Sequence, residues 1–351
     1  MLEIGYPLRA RILGSPVGRR LIGPLVTRRG AGLLTVLVSA LSIGAVTPFS
    51  RLAFDGGVKI GALMTARYGI AALVIGSYLV RTSQSWRLKG GEYRQAIGLA
   101  LALGVLSLAF FASVSRIPAS LAALIYYTHP ILVSFMVYRI WHSQKRLEID
   151  FVTLGGQILS VAGLVLILGF SWNSLDLTGV VLAALSALMI ALIYVFGDQL
   201  MQSVPSMVLG LHVALINTAM FSVMAILHRS SLVPHNSQGW VGMAGVAAFF
   251  TVGFMGMFLG LRLLGPSQAA CVKNAEPIAA VAFSFALLGE SFGAWQFVGA
   301  GVVIAGMLVG CRTFANFRWH DLLHLTSEGA ELATLENCTP LCRVGSRCLL
   351  A

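Results

Sequence analysis

Apolar residues in this chain come in about ten blocks of about twenty, and very few folds can absorb them. A helix rises about 1.5 Å per residue, so about 20 apolar residues cross a ~30 Å hydrocarbon core. The blocks lie near 32–54, 60–80, 95–114, 119–141, 151–170, 177–197, 207–227, 240–261, 267–289 and 294–312. Strands of a membrane barrel would instead show short segments of alternating polarity. Only 11% of the residues are charged, against roughly 25% in soluble domains. The expected fold class is therefore an all-α integral membrane protein with ten transmembrane helices.

The net charge of +11 invites a nucleic-acid reading, but its distribution argues against one. With the N-terminus placed inside, 18 of the 24 Lys and Arg fall in cytoplasmic segments and 4 in external loops, while Arg67 and Lys273 lie within spans. That is the positive-inside bias of a membrane protein. It predicts a multi-pass protein of the inner (plasma) membrane with both termini cytoplasmic. The expected partners are a lipid bilayer and a small-molecule substrate, with no nucleic acid.

The blocks repeat. Ser120-x-Ala122-Ala123-x6-Pro130 returns as Ser267-x-Ala269-Ala270-x6-Pro277, 147 residues later. Ser39-Ala40-Leu41-x-Ile43-x5-Phe49 returns at the same offset as Ser186-Ala187-Leu188-x-Ile190-x5-Phe196. Two matches in one register indicate an internal duplication. Five spans per copy is an odd number, so the second copy enters the membrane upside down. Loop charges agree. The loops after spans two and four carry Arg81, Arg87, Lys89, Arg94, Arg139, Lys145 and Arg146, whereas their counterparts carry only Arg229. The expected organisation is a basic cytoplasmic arm over 1–29, inverted five-helix repeats over 30–170 and 171–312, and a cytoplasmic tail over 313–351.

Pro130 and Pro277 sit at corresponding places within membrane-length spans, predicting kinked helices that line a polar cavity. Their neighbours differ between copies: Tyr126 corresponds to Lys273, Tyr127 to Asn274 and His129 to Glu276. Ionisable groups within a span cost at least ~2.5 kcal/mol on insertion scales, so Lys273 and Glu276 mark either a neutralising salt bridge or a substrate site. Three residues apart, they share a helix face. In the functional reading Lys273 meets a substrate anion and Glu276 is its counter-ion or a proton carrier. Tyr126, His129 and Asn274 would then supply hydrogen bonds. Arg67, seven residues into its span, either snorkels to the interface or faces the cavity. Gly156-x6-Gly163 and Gly299-x6-Gly306, with Gly310 following, suit close helix packing within one chain or across a homodimer. Acidic residues near span ends (Glu148, Asp150, Asp198, Glu290) read as interfacial charges. No phosphate-binding loop, nucleophile motif or metal-ligand spacing occurs, so no cofactor, metal or enzyme activity is expected beyond proton or ion coupling.

Two five-helix copies, the Met64-Thr65-Ala66-Arg67 stretch and the run Glu276-Pro277…Gly289-Glu290…Gly299…Gly306 resemble the EamA branch of the drug/metabolite transporter superfamily. The resemblance spans about 30–312. It implies a ten-helix inverted-repeat transporter of small metabolites, amino acids or drugs. Together with the residues above, it points to a secondary transporter of a small polar organic solute, amino-acid-like or anionic, working by alternating access. The alternatives are a multidrug exporter, a membrane sensor, or a membrane-embedded enzyme.

Overall fold

The computed structural model describes residues 28–141, 151–168, 176–228, 233–288 and 293–310. The basic arm up to residue 27, the tail, and Glu148, Asp150 and Glu290 lie outside the described residues. All regular structure within the described residues is helical. The first repeat comprises α1 (Arg28–Asp55), α2 (Ile60–Arg81), α3 (Gly90–Val114), α4 (Ala119–Tyr126), α5 (His129–Trp141) and α6 (Phe151–Leu168). The second comprises α7 (Leu177–Leu200), α8 (Ser206–Leu227), α9 (Ser237–Leu264), α10 (Pro266–Lys273), α11 (Glu276–Leu288) and α12 (Ala294–Gly310). The fourth span of each repeat is two half-helices, α4 with α5 and α10 with α11, so twelve helical segments make ten crossings. Eight crossings are longer apolar stretches; two are shorter, Val152–Leu168 and Ala294–Gly310.

Local chemistry sets several boundaries. Asp176 caps α7, its carboxylate accepting from Thr178 N at 2.8 Å. That backbone bond, with smaller help from Arg116 at 3.3 Å, holds the Asp176 carboxyl below its ordinary pKa. Asn236 caps α9 through Gly239 N at 2.7 Å. A single residue, Gly265, turns α9 into α10 with φ +78°, a conformation that a side chain disfavours.

The helices pair as a two-fold exchange of repeats requires. The largest seam joins α1 to α9, and its counterpart joins α7 to α3. Two pairings map onto themselves: α2 with α8, and α6 with α12. Within both self-paired seams the chains run in opposite senses. A Cβ on Gly156 would meet Gly306 and Gly310, one on Gly163 would meet Gly299 and Val303, and one on Gly306 would meet Ser160. Gly61 likewise faces Ala225 and Gly76 faces Leu211. Helices exchanged by an axis along the membrane normal would run parallel; antiparallel mates require the axis to lie in the membrane plane. The repeats are inverted.

The glycines that a homodimer or an internal seam could use are committed to the internal seam, where they let α6 and α12 touch backbone to backbone. Adjacent glycines on α6 make a controlled test. Gly155 has nothing within 4 Å of an added Cβ, whereas one on Gly156 would enter the α12 backbone. Gly156→Ala is expected to cost about 1–3 kcal/mol through overpacking, read as a lower melting temperature in detergent. Gly155→Ala should be neutral or stabilising by up to ~1 kcal/mol from helix propensity. Equal effects would refute the packing assignment.

Candidate functional site

The breaks in the two central spans fall at one place in both repeats, Tyr127–Thr128 and Asn274–Ala275, three residues or fewer ahead of Pro130 and Pro277. The interruption goes further than the kink expected from sequence. Proline has no N–H to donate, and its ring crowds the carbonyl four residues back. In both copies the last turn tightens to bonds three residues apart: Thr128 N donates to Ile125 O at 3.2 Å, and Ala275 N to Val272 O at 3.1 Å. The carbonyl that Pro130 cannot serve belongs to Tyr126, and His129 Nδ1 donates to it at 3.0 Å. With Nδ1 carrying that proton, the neutral ring leaves Nε2 a bare acceptor, and Nε2 is buried with no partner.

In the second repeat the same position holds Glu276, which opens α11, while Lys273 closes α10. Each charge complements the dipole of its own half-helix. They also bind one another, Lys273 Nζ lying 2.9 Å from Glu276 Oε2, with side-chain exposures of 8% and 15%. Tyr127 Oη donates to the other carboxylate oxygen at 3.1 Å and so ties the fourth span to the ninth. Glu276 is thus held on both oxygens. Asn274, between the pair, is fully buried, and neither its amide nitrogen nor its oxygen has a partner.

Arg67 turns inward rather than snorkelling. Its guanidinium carbon lies 4.8 Å from the Tyr68 ring centroid and 4.5 Å from that of Phe250, within cation–π range. One terminal nitrogen donates at 3.3 Å to Tyr68 Oη and at 3.4 Å to Ser107 Oγ, and Nε is buried without a partner. Among the described residues no carboxylate lies within ion-pair distance of Arg67. Tyr126 links this group to the broken spans. Its hydroxyl lies within electrostatic reach of Glu276, Tyr194, Tyr68 and Arg67. Its ring lies 5.2 Å from that of His129, which in turn is 5.9 Å from Tyr194.

The structure therefore brings Arg67, Tyr126, His129, Lys273, Asn274 and Glu276 into one polar region around Pro130 and Pro277, with His129, Lys273 and Asn274 buried and the other three half-buried. It adds Tyr68, Ser107, Tyr194 and Phe250, which sequence reasoning did not single out. Tyr194 had a signal, a lone tyrosine inside a span. Ser107 and Phe250 had none, because their role depends on which helix faces Arg67. No group of three or more His, Cys, Asp or Glu among the described residues is placed to hold a metal ion.

The sequence profile of the EamA-like transporter family matches this chain twice, over residues 30–169 and 177–310. The chain belongs to the EamA-like transporter family. That family comprises membrane transporters of small solutes, and this member is a multi-pass membrane protein built from two copies of its unit. Comparison with curated proteins gives no match. Among solved structures, one described only as the crystal structure of a protein is similar with a TM-score of 0.64 at 18% sequence identity. The similarity covers 78% of this chain and 97% of that one, and it speaks for the fold alone.

Proposed function

We propose that this EamA-like protein carries a small anionic or amino-acid-like organic solute by alternating access, bound between the broken fourth and ninth spans. The observation that carries the reading is Arg67, a cation inside a span with no counter-ion among the described residues. A cation within a span that lacks a counter-ion is costly, and a ligand carboxylate would remove that cost. The orphaned atoms narrow the class further. His129 Nε2 wants a donor, and Asn274 offers both a donor and an acceptor. A carboxylate next to an ammonium or hydroxyl group fits all three. Aromatic rings at Tyr68, Tyr126 and Tyr194 would enclose the solute's carbon skeleton. A multidrug exporter for lipophilic cations would gain nothing from Arg67.

Lys273 and Glu276 supply the coupling step. A solute anion competing for Lys273 frees Glu276 from its ion pair, and the freed carboxylate is the group that would carry a coupled proton. Glu276→Gln is accordingly expected to retain solute exchange across proteoliposomes but to lose acceleration by a pH gradient. A variant still driven by the gradient would remove Glu276 from coupling.

The decisive experiment is uptake into proteoliposomes of radiolabelled amino acids, hydroxy acids and a lipophilic cation, with and without a pH gradient. Saturable flux of the carboxylates is expected; flux of the lipophilic cation alone would overturn the reading. Orientation belongs to the same proposal: an inner-membrane protein with both termini cytoplasmic. Single cysteines in the 141–146 and 290–294 loops should label from opposite faces of sealed vesicles, the first from the cytoplasmic side. Labelling from one side would refute it.

A further inference from the structure

The two repeats differ sharply at one pair of symmetry-related seams, away from the central site. Between α3 and α7 lies a crevice of about 570 Å³ lined by Leu99, Ala102, Leu192, Ile193 and Phe196, with Gln95, Gln199 and Ser203 at one end. Its lips belong to the lipid face. Phe196 is 44% exposed, and Leu188, Leu101 and Val105 continue that exposed apolar stripe along both helices. The 147-residue offset pairs Phe196 with Phe49, Ala102 with Phe249, and Gln95 and Gly98 with Gly242 and Gly245. In that counterpart seam, between α1 and α9, the space is filled by the chain itself. Phe49 stacks on Phe249 with centroids 5.3 Å apart and lies against Gly242 and Gly245. The crevice exists because Ala102 stands where the other repeat has a phenyl ring, so Phe196 has no ring to stack on.

We infer that the crevice between α3 and α7 binds the acyl chain of one membrane glycerophospholipid, which enters sideways from the bilayer. Three features point to that occupant. The opening faces hydrocarbon, where lipid is the solvent. The volume falls in the range of small-molecule sites. The polarity runs from apolar within the membrane to amide and hydroxyl groups near the ends of α3 and α7, as an amphipathic molecule lying along the bilayer normal requires. Buried methylenes contribute the affinity. The polar groups at the end, Gln95, Gln199 and Ser203, receive the ester or headgroup oxygens. The occupant is the equivalent, in this repeat, of the ring pair that seals the other.

The test uses the full chain in nanodiscs containing a trace of phospholipid with a diazirine in its acyl chain, with adducts mapped by mass spectrometry. Adducts should concentrate on 98–102 and on Leu192, Ile193 and Phe196 relative to another lipid-exposed face, Val223–Leu227 of α8. Ala102→Phe, which restores the ring of the other repeat, should reduce that labelling by about tenfold while leaving the α8 face unchanged. Gly98→Leu provides a second filling variant. Adducts spread evenly over all lipid-facing helices in the unmodified protein would overturn the proposal whatever the variants do. So would a cysteine at 98 that reacts rapidly with a charged, membrane-impermeant thiol reagent, because the crevice would then hold water. The readouts do not involve the central site, so they stand or fall independently of the solute assignment.

Discussion

Lys273→Ala is expected to abolish solute transport and to destabilise the protein more than Lys273→Ala combined with Glu276→Ala. Removing one member of a buried ion pair costs about 3–5 kcal/mol, because the other is left unpaired where water does not reach it. Here Glu276 would keep only the Tyr127 hydroxyl at 3.1 Å, and the C-terminal end of α10 would lose its compensating charge. Removing both members deletes the uncompensated charge as well, so the double variant should recover most of the lost melting temperature. Neither variant should transport. A single variant as stable as the wild type, or one that still moves solute, would show that the pair is neither buried in effect nor part of the pathway.

Arg67→Gln is expected to separate binding from folding. Arg67 has ring faces and neutral hydroxyls around it rather than a carboxylate, so its loss leaves no orphaned anion and stability should change little. Losing one half of a desolvated ion pair with a ligand costs about 2–5 kcal/mol, or a factor of about 30 or more in affinity. The measurement is solute affinity by scintillation proximity or isothermal titration, alongside a melting curve. Unchanged affinity would exclude Arg67 from the site; a collapsed melting curve would mark it as structural. Arg67→Lys should restore little, since the Lys ammonium is a point charge without the planar fork that stacks between Tyr68 and Phe250.

How much of this was legible beforehand follows from the range of the interactions involved. Span length and loop charge are local properties, so the ten crossings and their inversion could be read directly. The helix breaks were visible at Pro130 and Pro277, since proline acts on its own chain. The Lys273–Glu276 pair was legible from its three-residue spacing. The Tyr127–Glu276 bond was not, because 149 residues separate its partners. Nor was the direction of Arg67. Seven residues into a span, its side chain can reach either the interface or the interior. Ser107 and Phe250, on two other helices, decide between them. The difference between Ala102 and Phe249 stood in the sequence throughout, but it acquires meaning only once α3 and α7 are known to be the counterparts of α9 and α1.

The seam of glycines between α6 and α12 has a mechanical consequence. A pair of helices that the two-fold maps onto itself looks the same after the repeats trade conformations. Motion that swaps the shapes of the halves therefore does no work on this pair, nor on α2 with α8. Seams that map onto a different seam, such as α1 with α9 onto α7 with α3, must change places. Backbone-to-backbone contact is the least forgiving kind, and in α6 and α12 it sits where nothing has to slide. Under the proposed alternating access, that seam would be the stator of the molecule, and the seams carrying phenyl rings and an open crevice would be where it moves.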